Sequence, residues 1–124
     1  MNQSSPFKGK TGIKRILNAT SYSIAGFKAA FSNEEAFRQI VWINIILIPI
    51  SFFVDVSRVE QALMIGVCLL AIIIELLNSA IEAVVDRISL DQHPLSKNTK
   101  DISSDAQFVG LSIIVVVWLL ILIP

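Results

Sequence analysis

Glu75-Leu76-Leu77-Asn78-Ser79-Ala80-Ile81-Glu82-Ala83-Val84-Val85-Asp86 closes an apolar run that begins near Val59, and its reading decides the fold. Before Glu75 the chain runs Ala62-Leu-Met-Ile-Gly-Val-Cys-Leu-Leu-Ala-Ile-Ile-Ile74 with no charge. On a helix, positions 75, 78, 79, 82 and 86 stack on one face, because side chains recur on a face every three or four residues. One side of a membrane-type helix therefore carries three carboxylates, an amide and a hydroxyl, while Leu76, Leu77, Ala80, Ile81, Val84 and Val85 keep the other side apolar. Acids in such a setting cost roughly 2.5–3.5 kcal/mol each to place in hydrocarbon, so a functional role is the default reading.

Composition agrees with a membrane chain. Of 124 residues, 54% are hydrophobic and 16% charged, against about 25% charged in an average soluble domain. The mean hydropathy is +0.70. Net charge is zero, so no global field argues for nucleic acid. The single cysteine, Cys68, lies in the apolar run and reads as packing. The early basic region leads into an amphipathic segment without a compact apolar core and cleavage site, so the membrane segments are expected in the mature protein.

Working outward, one membrane domain over residues 1–124 is expected. Residues 1–9 are polar and turn-rich and read as mobile. Gly9-Lys10-Thr11 resembles the end of a phosphate-binding P-loop, but the required first glycine is Ser4 and no strand precedes it, so the motif is rejected. Residues 1–32 are assigned to a tail and surface helix. From about Thr11 to Ser32, Ile13, Ile16, Leu17, Ile24, Phe27 and Phe31 form one stripe opposite Lys10, Lys14, Arg15 and Lys28. Too polar to span, this segment reads as an amphipathic helix lying in the membrane interface, with Gly26 marking a bend. A soluble amphipathic helix packed on a partner is the alternative.

Three spans follow. The first covers 34–54, with Ser32 or Asn33 as N-cap, Glu34 and Glu35 in the first turn and a kink at Pro49. The second covers 59–88, its last part projecting out of the bilayer, since about 20 residues from Val59 reach Asn78. Residues 89–100 read as a polar loop punctuated by Pro94. The third span covers 101–123, with Trp118 as an interfacial anchor. Lys8, Lys10, Lys14, Arg15, Lys28 and Arg38 precede or begin the first span. Arg87, Lys97 and Lys100 lie around the second loop, and only Arg58 lies in the first. This asymmetry places the N-terminus and the 89–100 loop in the cytoplasm.

The polar face therefore opens where nucleotides are. Glu75 and Glu82 are seven residues apart, about 10.5 Å along a helix axis, so they cannot share one proton and should have separate tasks. A glutamate at the edge of hydrocarbon loses water and so accepts a proton more readily, the requirement for a general base. The outer Glu82 could hold a divalent cation with Glu34, because magnesium takes one or two protein carboxylates and completes its shell with water and phosphate oxygens. Arg15, Lys28, Lys97 and Lys100 supply cations for phosphate. Together these groups point to phosphoryl transfer to a lipid hydroxyl. Each has a plainer reading alone: Glu75 as a structural carboxylate, Glu34 and Glu35 as helix-dipole residues, Glu82 and Asp86 as a solvated helix end, and His93 as a loop residue.

Glu75-x-x-Asn78-Ser79-Ala80-Ile81-Glu82-Ala-Val-Val-Asp86-Arg87 resembles the signature of the small prokaryotic diacylglycerol kinase family. Tyr22-Ser23-x-x-Gly26, Glu34-x-Ala36-Phe37-Arg38-Gln39, His93-x-Leu95-Ser96 and Lys100-Asp101-x-x-Ser104 extend the resemblance over nearly the whole chain. It implies an all-α integral membrane homotrimer in the bacterial inner membrane, with sites shared between subunits. The implied activity is magnesium-dependent transfer of the ATP γ-phosphate to diacylglycerol, giving phosphatidic acid. By the same resemblance Glu75 is the general base, Glu34 and Glu82 hold the metal on ATP, and Asn78 orients the two glutamates. Arg15, Tyr22, Asp91, Gln92, His93, Lys100 and Asp101 match nucleotide contacts. Ser23, Lys28, Phe31, Arg38 and Ser104, with Arg15 and Glu75, match lipid contacts.

Thr20, Thr99, Ser103 and Asp105 depart from the usual family pattern. An undecaprenol kinase of the same family is one alternative, which no bottom-up feature separates from a diacylglycerol kinase. A small transporter using Glu75 as a proton or cation site is another. It calls for polar residues on a second span facing Glu75, and only Asn44 in the first span and Ser112 in the third are counted as such. A purely structural membrane protein leaves the aligned Glu75, Asn78, Glu82 and Asp86 unexplained.

Overall fold

The structure, a computed structural model, describes residues 11–124. The stretch expected to be mobile, 1–9, and the basic Lys8 and Lys10 lie outside the described residues. Regular structure among the described residues is entirely helical: α1 (Gly12–Asn33), α2 (Glu35–Ser51), α3 (Arg58–Ile88) and α4 (Pro94–Leu122). The chain divides into two units, one ending at Asn33 and one beginning at Glu34.

In the first unit, α1 starts at Gly12, whose φ of +73° is left-handed backbone that a side chain would strain. The helix runs uninterrupted through Gly26, where a bend was expected. Its apolar stripe is unburied, with Ile13, Ile16, Leu17 and Ile24 all more than half exposed. Such a face needs an apolar surface to lie on. The Phe27 and Phe31 rings stack on it at 6.3 Å between centroids. Thr20 and Ser23 turn their hydroxyls back onto the Ile16 and Ala19 carbonyls, as isolated hydroxyls do in helices.

The second unit is built around α3, which packs against both α2 and α4. Ser57 caps α3: its Oγ accepts from the Glu60 N–H while the Glu60 carboxylate accepts from the Ser57 N–H, closing a capping box. From there the inward positions are Gln61, Met64, Cys68, Ala71, Glu75 and Asn78, a spacing of three and four that forms one seam. Its apolar half meets Ile40 of α2 and Ile114 and Trp118 of α4. Cys68 is fully buried there, as packing requires.

Both α3 and α4 are long and apolar enough to cross a membrane. Only 28% of the most apolar stretch of α3 and 22% of that of α4 is buried, whereas the central helix of a water-soluble core is mostly covered. Outward residues such as Leu63, Leu69, Ile73, Leu77, Val115, Val116 and Leu120 are exposed, which suits a lipid solvent.

Four expectations are corrected. The N-cap of α2 is Glu34, not Ser32 or Asn33, and its side chain makes no capping bond. α2 ends at Ser51, two residues after Pro49 and short of Val54, where the Phe52 and Phe53 N–H groups donate three residues back, to the Pro49 and Ile50 carbonyls, and the last turn tightens. The 89–100 loop shortens to 89–93, because Pro94 is the first residue of α4 and His93 caps it, Nδ1 accepting from the Leu95 N–H at 3.0 Å. A proline at the first helical position starts a helix, its fixed φ being already helical. Trp118 is not an exposed anchor: it is buried in the core and its Nε1 donates to the Met64 carbonyl at 3.1 Å.

Candidate active site

Where the α3 seam leaves Ala71, it changes from apolar to polar without changing direction. Glu75 is 3% exposed, so its carboxylate is buried among helices and needs a partner. That partner is Gln107 of α4, whose Nε2 donates to Glu75 Oε2 at 3.0 Å and to the Ala71 carbonyl at 2.8 Å. One turn on, Asn78 is also buried, and its Oδ1 accepts from Ser103 Oγ at 2.6 Å. Two cross-helix bonds thus fix the inner end of the site.

Gly110 of α4 leaves room at this crossing: a Cβ there would meet Ile74 Cδ1 at 2.7 Å and Gln107 Oε1 at 2.8 Å, so an alanine would displace the ends of both side chains. The Ser103 hydroxyl is what reaches Asn78. Ser103→Ala is expected to lower stability by about 1 kcal/mol, the typical net worth of such a bond, measured by thermal unfolding in detergent. No change in unfolding would show that the Asn78 carbonyl finds another donor.

Further out on α3, the Glu82 carboxylate feels Glu34, Glu75 and Asp86 as like charges and Lys100 as an opposite one. Lys100 Nζ is bonded to Asp86 Oδ1 at 2.7 Å, tying the end of α3 to the start of α4. That bond raises the Lys100 ammonium above the usual lysine value, so the lysine stays charged. Lys97 pairs with Asp101 one turn along the same helix, 2.6 Å apart.

Beyond this pair a cleft of about 590 Å³ opens between the end of α3, the connector and the first turns of α4. Asp91, Gln92, His93 and Lys100 line it, together with Asp86 and Lys97. The structure therefore brings together four of the expected nucleotide contacts, and separately gathers Glu75, Asn78 and Glu82 along α3 with Glu34 in electrostatic reach. Asp101 and Ser104 are exposed on α4, and Asp101 is engaged by Lys97. Arg38 is half-buried on α2. Arg15, Tyr22, Ser23, Lys28 and Phe31 all stand on α1, in the other unit.

Among the described residues no three His, Cys, Asp or Glu side chains gather as a metal cage. A cation shared with substrate phosphates would need only one or two protein carboxylates, and Glu34 and Glu82, like charges in electrostatic reach of each other, are a pair whose repulsion a cation would relieve.

Gln107 is the site residue that the sequence reading missed. It follows Ala106 at the start of an apolar run and was passed over in favour of Ser112. Ser112 turns its hydroxyl onto its own helix, donating to the Phe108 carbonyl. The signal available was an amide on the same helical face as Gly110 and Ile114, three and seven positions on.

A helix-only unit with lipid-facing sides and a buried carboxylate leading to a charged cleft defines a membrane-type protein with a polar site at one end of its seam. A sequence model of the prokaryotic diacylglycerol kinase family matches residues 21–122. The diacylglycerol kinase of Pseudomonas aeruginosa is 68% identical over 119 residues, 96% of this chain and 97% of its own length. That of Haemophilus influenzae is 46% identical over 108 residues, covering 87% and 92%. That of Escherichia coli K12 is 41% identical over 112 residues, covering 90% and 92%. The chain belongs to the prokaryotic diacylglycerol kinase family.

Proposed function

We propose that this protein is a lipid kinase that transfers the γ-phosphate of ATP to the hydroxyl of diacylglycerol, giving phosphatidic acid. The observation that carries the reading is the buried Glu75 carboxylate, held from α4 and continuous along α3 with Glu82 and the charged cleft. The names of the close relatives supply the acceptor.

In this reading Glu75 takes the proton of the lipid hydroxyl as its oxygen bonds to the γ-phosphorus, and the bond to the bridging oxygen of ADP breaks. Asn78, fixed by Ser103, lies one turn further out. Lys100, His93, Gln92 and Asp91 face the nucleotide in the cleft, and the family resemblance adds Asp101, Arg15 and Tyr22 as nucleotide contacts. Ser23, Lys28, Phe31, Arg38 and Ser104 contact the lipid. Glu34 and Glu82 hold magnesium, which when bound neutralises charge on the transferring phosphate. Phosphoryl transfer asks the protein mainly for such positioning and charge.

We place α2, α3 and α4 as three spans. With 17 residues, α2 sits at the low end of the roughly 17–25 needed, and its exposed Trp42, Ile45 and Ile46 call for an apolar covering. The lysine and arginine distribution supports a cytoplasmic N-terminus and connector in the bacterial inner membrane. The assembly is a homotrimer with shared sites.

The test is phosphorylation by purified protein in detergent–lipid micelles with ATP and magnesium, diacylglycerol and undecaprenol offered in parallel. Labelled phosphatidic acid is expected in clear excess over undecaprenyl phosphate. The reverse preference would keep the chemistry and change the acceptor. No labelling of either lipid by folded protein would sink the kinase reading. The transporter alternative gains a premise from the structure, since Gln107 and Ser103 of a second helix do face Glu75 and Asn78. It fails on the family.

A further inference from the structure

We infer that Gln107 is a positioning residue for the reaction, holding Glu75 so that one carboxylate oxygen is tied and the other is free for the acceptor hydroxyl. This rests on the reading of Glu75 as the proton acceptor. Three observations carry it.

The first is geometric. The Ala71 carbonyl can only accept, so the nitrogen end of the Gln107 amide must face it at 2.8 Å. That fixes the amide orientation and directs the same nitrogen at Glu75 Oε2, 3.0 Å away. Glu75 cannot rotate about its last bond without losing this donor.

The second is the cost of the arrangement. Gln107 is 7% exposed and its Oε1 has no partner. An orphan amide oxygen in a buried site is unfavourable, and the Ala71 carbonyl already accepts the helical bond expected from the Glu75 N–H. A residue needed only to fill this space would be Met or Leu, which bring no polar atom. What glutamine adds is the one N–H that reaches the carboxylate.

The third is the clearance around it. Gly110, one turn along α4, leaves the space that Gln107 Oε1 occupies, since a Cβ there would lie 2.8 Å from it. Ala71 on the opposing helix carries only a methyl group. The crossing is built to let this side chain reach across.

Two roles separate experimentally, because they predict different splits between kcat and KM. Gln107→Met keeps the length of the side chain, removes the donor and removes the orphan oxygen. If Gln107 positions Glu75, the variant shows kcat lowered about tenfold to hundredfold, as expected for losing a bond to a charged group. KM for ATP and for diacylglycerol stays within twofold, in protein that still unfolds in one cooperative transition in the same micelles, because the bound substrates do not touch Gln107. A wild-type kcat would overturn the inference. So would a fall in kcat accompanied by raised KM for both substrates, which is the signature of a structural role.

Glu75→Gln is measured alone and combined with Gln107→Met. The residual rate of Glu75→Gln should be unchanged by adding Gln107→Met, because the second residue acts through the first. A further tenfold loss in the double variant would overturn the inference. Full activity of Glu75→Gln alone would instead remove the reading of Glu75 on which it rests. A dead Glu75→Gln beside a fully active Gln107→Met removes only the role of Gln107.

Discussion

Glu75→Gln is expected to lower kcat for lipid phosphorylation by about 10²–10⁴-fold, the range spanned by positioned general bases. The variant keeps shape and volume, and its side-chain oxygen can still accept from Gln107 Nε2, so the α3–α4 packing should survive. KM for ATP should move little, since the cleft lined by His93 and Lys100 lies two to three turns further along the chain of contacts. Glu75→Asp is the sharper companion, because it keeps the charge and withdraws the carboxylate by one methylene. A displacement of about 1 Å at a reacting centre costs on the order of 10²-fold. The measurement is single-turnover phosphoryl transfer from radiolabelled ATP with lipid in excess. Activity of Glu75→Gln within twofold of wild type would exclude Glu75 as the base and return it to the role of a buried structural acid.

Trp118→Ala is expected to have the largest effect on stability. The side chain is 8% exposed, packs in the cluster with Met64, Cys68 and Ile114, and bonds the Met64 carbonyl. Truncating a buried aromatic in a soluble core costs about 3–5 kcal/mol. In a bilayer part of the transfer contribution vanishes, because lipid tails are as apolar as the core, while the cavity and lost contacts remain. The expected loss is therefore near the lower end, about 3 kcal/mol. Trp118→Phe should lose about 1 kcal/mol, mainly from the indole bond. Unfolding by denaturant or heat in fixed detergent reads both. An anchor at the membrane surface would instead give a small change for Trp118→Ala, so a loss below roughly 0.5 kcal/mol, the usual range for surface substitutions, would contradict the packed position.

These two residues also mark how much the sequence disclosed. The polar face of α3 was legible because its spacing is a property of one helix: Glu75, Asn78 and Glu82 must share a side wherever the helix goes. The α3 boundaries follow from the apolar run that opens near Val59, while Ser57 with Glu60 three residues later is a start signal that the sequence reading leaves unused. What lay between elements was not legible. Trp118 in an apolar run near its end fits a membrane surface equally well, and only the crossing of α3 and α4 decides that it points inward. The bond between Gln107 and Glu75 joins residues 32 apart, a register that no local pattern encodes. Pro94 is a different case, since a proline after a polar residue reads as loop punctuation and as a helix start alike, and the structure shows the second. On α1 the charges of Arg15 and Lys28 are legible as cations for phosphate, whereas Tyr22, Ser23 and Phe31 rest on the family resemblance, since no local pattern ties them to α3.

The connector of five residues, 89–93, has a consequence for how the protein is made. So short a link forces α3 and α4 to lie side by side as soon as both have left the ribosome, and their polar groups pair with each other: Glu75 with Gln107, Asn78 with Ser103. A lone helix carrying Glu75 and Asn78 would enter hydrocarbon with both unsatisfied, at a few kcal/mol. As a hairpin, the two helices can partition together with those groups already facing inward. The residues that build the chemical site then also ease the passage of the chain into the bilayer. Biogenesis and catalysis would thus draw on the same handful of side chains.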